Sequence, residues 1–165
     1  MTQTTQTKQY FNLTADGVGF VNRIRVVQGK GKSSPYFACV IQASHGEDGD
    51  KSRFDVRVVG NEAKEIFQRL VDEYPDVLSS DYRQHPTVSI AFRVSDLTPK
   101  LIEFKDKKTQ EDISIPTIDA RLLIVKSLKV NGELFHRYEA ENKDSQQESA
   151  SSEEDEQTKY GDHRQ

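Results

Sequence analysis

The chain has no tryptophan, one methionine and one cysteine, Cys39, in 165 residues. A single thiol excludes an intrachain disulfide and any multi-cysteine zinc site. No apolar run approaches the roughly 18 residues that a membrane helix needs. The N-terminus, MTQTTQTKQYF, lacks the charged start and apolar core of a secretory signal. Together these absences lead us to expect a cytoplasmic, reduced protein with no membrane association.

Catalytic signatures are equally scarce. His45, His85, His136 and His163 lie far apart in sequence, and none stands at a metal-ligand spacing from another, so all four are expected as solvated surface residues. Cys39 alternates with Phe37 and Ile41 and reads as a small buried hydrophobe rather than a nucleophile. Gly31-Lys32-Ser33 resembles the end of a phosphate loop, but that pattern needs glycine at position 26, where Val26 stands. Paired carboxylates such as Asp48 with Asp50, or Glu111 with Asp112, fall in polar loops without apolar neighbours to raise a pKa. The sequence announces no enzyme class, metal or cofactor.

What is present is unevenly distributed charge. From Glu139 to the C-terminus nine acids face three bases, a net of −6, so the overall −4 leaves residues 1–138 at +2. Beyond about Tyr138 the composition is Glu, Ser, Gln and Lys, and residues 139–165 are expected to form a disordered acidic tail. Residues 1–16, rich in Thr and Gln, are expected as a flexible arm, with Tyr10, Phe11 and Leu13 as docking points.

Between them, residues 17–138 read as one domain. VGFVNRIRVV (18–27) alternates, placing Phe20, Ile24 and Val26 on one face and Val21, Arg23, Arg25 and Val27 on the other. YFACVIQA (36–43) points Phe37, Cys39, Ile41 and Ala43 inward. RFDVRVVG (53–60) sends Phe54, Val56 and Val58 to one side, and Arg53, Asp55 and Arg57 to the other. The period then changes: in NEAKEIFQRLVDEY, Ala63, Ile66, Phe67, Leu70, Val71 and Tyr74 recur at helical spacing behind Asn61 as N-cap. TVSIAFRV (87–94) is a fourth strand and ARLLIVKSLKV (120–130) the last, stopped at Asn131-Gly132. LTPKLIEFKDKKTQEDISIPT (97–117) is an extended hairpin between those two strands. The order β-β-β-α-β-β, with its single helix after the third strand, is that of an OB-fold, a five-stranded Greek-key barrel.

Arginine stands opposite the apolar face in strand after strand: Arg23 and Arg25, Arg53 and Arg57, Arg93, and Arg121. A curled sheet can bring these onto one outer surface, and guanidinium groups both pair with phosphate and stack on bases. Tyr36 and Phe104 are the stacking candidates, with Tyr10 or Phe11 as others. Lys30 and Lys32 in the first loop, and Lys105, Lys107 and Lys108 in the hairpin, extend a positive track. A wet sheet face also needs polar residues for solvation alone, and a body charge of +2 is small for a bulk-charge binder. Two readings therefore stay open at this point: a nucleic-acid-binding surface, and an adaptor that holds a protein partner.

RFDVRVVGNEAKEIFQRL is similar to the third-strand and helix segment of bacterial single-stranded DNA-binding proteins. The segments YFNLTADGVGFVNRIR, YFACVIQASHG, RFDVRVVGNEA, FRVSDL and ARLLIVKSLKVNGE, spanning about residues 9–135, resemble a family of replication proteins from integrative and conjugative elements. The resemblance implies an OB-fold that coats single-stranded DNA during replication or transfer of a mobile element, alone or with other replication or conjugation proteins. Two features depart from the single-strand binders: the stacking tryptophans are missing, and the tail ends YGDHRQ rather than in an apolar hook. Free strand edges and the long hairpin leave room for a dimer or tetramer.

Overall fold

The structure, a computed structural model, describes residues 12–47 and 49–139. Seven regular elements dominate these residues: β1 (Thr14–Val27), β2 (Tyr36–Ser44), β3 (Lys51–Val58), α1 (Asn61–Glu73), β4 (Val88–Lys105), β5 (Asp112–Val130) and β6 (Glu133–Arg137). Two short 3-10 turns, Pro75–Leu78 and Tyr82–Gln84, connect α1 to β4. The strands hydrogen-bond in the order β3-β2-β1-β4-β5-β6, and a further pairing of β3 with β5 closes the sheet on itself. All neighbours run antiparallel except this closing pair, which is parallel.

Alternation decides what fills the ring. Cys39 and Ile41 from β2, Phe54, Val56 and Val58 from β3, Val88, Ile90 and Phe92 from β4, and Leu122, Val125 and Leu128 from β5 form one buried cluster. The amphipathic helix adds Ala63, Ile66, Phe67 and Leu70 to it, and the Phe67 ring stands 6.2 Å from that of Phe37. Burial pushes the Cys39 thiol up to about 12, as expected of a group with no water to solvate its thiolate.

Gly60 is where the chain leaves the sheet. Its amide and that of Val59 both donate to the Leu122 carbonyl at 3.2 Å, and a Cβ at position 60 would collide with the Leu123 carbonyl. Gly60, with an extended backbone, is the residue that caps the helix; Asn61, expected in that role, is already the first helical residue.

Three further sequence expectations change. First, β1 carries a bulge between Asn22 and Arg25, with Arg23 at φ +50. The extra residue reverses the phase, so Val21 and Ile24 are buried while Phe20 points outward at 40% exposure. Val26, expected in the core beside Ile24, is 46% exposed. Second, β1 begins at Thr14, so residues 14–16, expected within a loose arm, pair with Ser95, Val94 and Arg93 of β4. Third, Asn131-Gly132 does not end the sheet. Both residues have positive φ, +51 and +83, and the chain turns back into a sixth strand, β6.

The expected hairpin is present as the outer parts of β4 and β5, paired without interruption from Thr98↔Asp119 to Lys105↔Asp112. A register shift between Ser95 and Thr98, with Asp96 at φ +55, marks where the ring ends and this arm begins. The acidic tail from residue 140 and the docking residues Tyr10 and Phe11 lie outside the described residues.

Candidate nucleic-acid interface

The outward face of the ring is built in rows across the strands. Arg25 of β1 is opposite Ala38 of β2, Ala38 is opposite Arg57 of β3, and Arg57 is beside Arg121 of β5 in the parallel register. At the usual interstrand spacing, this puts the backbones of Arg57 and Arg121 about 5 Å apart and that of Arg25 about 10 Å from Arg57. Ala38 leaves the middle of the row low. The next outward row is Asn22, Val40, Asp55 and Asp119, and the one after it holds Phe20, Gln42 and Arg53.

A groove of about 570 Å³ runs over the first row and the Asp55–Asp119 half of the second, lined by Arg25, Tyr36, Asp55, Arg57, Lys100 and Arg121, among others. Its charges interlock. Asp55 lies 3.7 Å from both Arg25 and Arg53, Arg121 lies 3.4 Å from Asp96, and Lys100 hydrogen-bonds Asp119 at 3.2 Å. Arg57 is different. Among the described residues it has no carboxylate partner; its guanidinium lies 4.2 Å from the centre of the Tyr36 ring and donates to the Tyr36 hydroxyl at 3.3 Å. A stacked, uncompensated guanidinium on an aromatic face is suited to an anion or a base.

A second groove, about 730 Å³, continues towards the arm and shares Lys100 with the first. Arg53 and Lys51 form its charged side, and Pro99, Leu101, Pro116 and Ile118 its apolar side. The Lys51 ammonium stands 5.3 Å from the centre of the Phe20 ring, which places a second outward aromatic at this groove's border.

The structure therefore brings Arg25, Tyr36, Arg57 and Arg121 together, with Arg53 next to them through Asp55. Lys30 and Lys32 are exposed on the connection that joins Val27 to Tyr36 at the groove's edge. Three groups of expected site residues fall elsewhere. Arg23, carried off by the bulge, lines a small cleft with Val77, His85 and Pro86. Arg93 is held in a two-pronged pair with Asp16, at 2.8 and 3.2 Å, and Lys126 approaches the same carboxylate at 3.3 Å. The Arg93 hydrogen bond holds the Asp16 carboxyl below its ordinary range, and Asp16 in turn raises the Arg93 guanidinium. Phe104, Lys105, Lys107 and Lys108 sit at the far end of the arm; Phe104 pairs with Ile113, about 27 Å along β5 from Arg121.

Sequence reasoning missed Phe20, Lys51 and Lys100. The bulge hid Phe20, whereas Lys51 was readable from the same alternation that placed Arg53 and Arg57. Two histidines also differ from the expectation of full solvation, while His45 is exposed as expected. His136, on β6, is mostly buried 3.5 Å from Glu62, and burial holds its imidazole below the usual value. His85 is half-buried, with a ring nitrogen 2.6 Å from the Ser79 carbonyl oxygen. His163 lies outside the described residues.

Among the described residues there is no group of three or more His, Cys, Asp or Glu side chains placed to hold a metal ion, and no helix is long and apolar enough to cross a membrane. No curated protein matches the chain. Over residues 4–146 the chain matches the model of a family described as "Protein of unknown function (DUF3577)", and it belongs to that family.

Proposed function

We propose that the chain is a non-catalytic single-strand DNA-binding module of the OB type, acting in the replication or transfer of an integrative and conjugative element. The OB reading is supported by the ring β1-β2-β3-β5-β4, its parallel β3–β5 closure and the helix between β3 and β4. The observation that carries the binding reading is the row Arg25–Arg57–Arg121 beside Tyr36 on one open groove. Three guanidiniums at neighbouring positions suit the phosphates of one strand. Tyr36, with Arg57 stacked on it, supplies a flat surface for a base. The groove lies between the connection bearing Lys30 and Lys32 and the base of the arm, the region by which OB domains take oligonucleotides. The link to mobile elements rests on the sequence resemblance alone.

A labelled mixed-sequence single strand, titrated by fluorescence anisotropy at several salt concentrations, tests the reading. Three phosphate contacts predict a slope of log K against log salt of about −2 for single-stranded DNA. Undetectable binding at micromolar protein in low salt refutes it. In that event, a partner recovered by this groove with no salt dependence would favour the adaptor reading.

A further inference from the structure

An acidic row crosses the same groove. Asp55 and Asp119 are register neighbours on β3 and β5, one step along from the arginine row. Carboxylates repel a polyanion, and like charges side by side on neighbouring strands work against the sheet. A surface shaped for phosphate alone has no use for either.

Asp119 is occupied by the Lys100 hydrogen bond, and Asp96, about half exposed, is ion-paired with Arg121 at 3.4 Å. Among the described residues Asp55 has no cation so close. Arg25 and Arg53 flank it at 3.7 Å, close enough to hold the charge in place but too far to hydrogen-bond it. Its side chain is only 18% exposed, and among the described residues no side chain donates to it. Arg53 has a matching deficit: its Nε is buried without a partner. The result is a carboxyl acceptor, clamped between two arginines, with lone pairs to spare on the wall of the groove. It lies two residues, about 7 Å along the strand, from the arginine row.

We propose that Asp55 is a base-reading residue: it favours strands whose bases present an exocyclic amino group over thymine. A carboxylate accepts from the N4 amino group of cytosine, and adenine and guanine offer amino groups of the same kind. Thymine turns a carbonyl oxygen, O4, to that position, and two acceptors repel. This inference rests on the single-strand reading of the groove and adds a specificity to it.

The experiment compares oligo(dC), oligo(dT) and an oligo(dC) whose N4 groups are dimethylated, all of one length, on the full chain and on Asp55→Asn. The wild type is expected to bind dC more tightly than dT on the order of 10-fold, the scale of one good base contact. Dimethylation, which removes the donor without touching the protein, should abolish that advantage even if the variant proves unstable. In Asp55→Asn, whose amide can both donate and accept, the dC-to-dT ratio should fall towards one. Asp16→Asn, outside the groove, should leave the ratio unchanged. Equal binding of dC and dT by the wild type, or a preference that survives either dimethylation or Asp55→Asn, overturns the proposal while leaving single-strand binding intact. Binding to none of the three oligomers removes the single-strand reading itself.

Discussion

Arg57→Ala takes out the guanidinium of the row that has no carboxylate partner among the described residues, so its effects on binding and on folding separate cleanly. The folded state loses the stacking of Arg57 on Tyr36, an exposed cation–π contact of about 0.5–1 kcal/mol. For a domain of this size that lowers Tm by no more than about 4 °C. On the proposed reading, binding loses one phosphate contact, and each such contact contributes about 0.7 to the salt slope of single-stranded DNA. The slope should therefore fall from about −2.1 to about −1.4. The corresponding loss in affinity is about fivefold at 0.1 M salt and about fifteenfold at 0.02 M. Parallel anisotropy titrations of wild type and variant, with thermal melts by circular dichroism, measure all three quantities. An unchanged slope would mean that Arg57 touches no phosphate. A Tm drop of 10 °C or more would mean that the arginine is structural, and the assignment of this row to ligand would fail.

Other perturbations probe the frame around the groove. Cys39 is fully buried and its thiol is pushed up to about 12; iodoacetamide at pH 8 should leave the native protein unmodified by mass and label it fully in denaturant, and rapid native labelling would contradict the burial. The Asp16 carboxyl is depressed below the ordinary 3.8, so the stability it adds is present above that value and is lost as pH falls through the folded pKa. Because the pair is about half exposed, Asp16→Asn should cost only about 0.5 kcal/mol at pH 7, with the difference vanishing in acid; a constant difference down to pH 2 would refute the linkage. Gly60→Ala forces a Cβ against the Leu123 carbonyl and should cost about 1–3 kcal/mol in chemical denaturation; a neutral result would mean the helix start can move aside.

Most of the fold was legible wherever one face alone decided burial. β3 was read residue by residue because Phe54, Val56 and Val58 alternate with charged neighbours, and the helix because Ala63, Ile66, Phe67 and Leu70 keep its period. β1 was misread because nothing about Arg23 advertises a left-handed backbone, and one inserted residue flips every side chain upstream. The sixth strand is a different case: Asn131-Gly132 is a strong short hairpin signal, and alternation alone does not tell such a turn from the end of the sheet. For the site, alternation told which arginines face outward, but not which strands stand side by side. The neighbourhood of Arg57 and Arg121 is created by the β3–β5 closure, a contact between residues far apart in sequence. Likewise, only the β1–β4 register reveals that Arg93 is spent on Asp16.

That parallel closure also sets a timetable for the nascent chain. β1, β2 and β3 can form a meander as soon as they emerge, but the Val58↔Leu122 pairing waits for 64 further residues of helix, turns, β4 and arm. At about 5–20 residues per second of synthesis, this is an interval of about 3–13 s. Throughout it the outer edge of β3 is unpaired and Phe54, Val56 and Val58 have no β5 to cover them. The helix that follows Gly60 is the first further part of the core to emerge in that window, ahead of Val88, Ile90 and Phe92 of β4, which makes it a built-in shield for the half-made sheet.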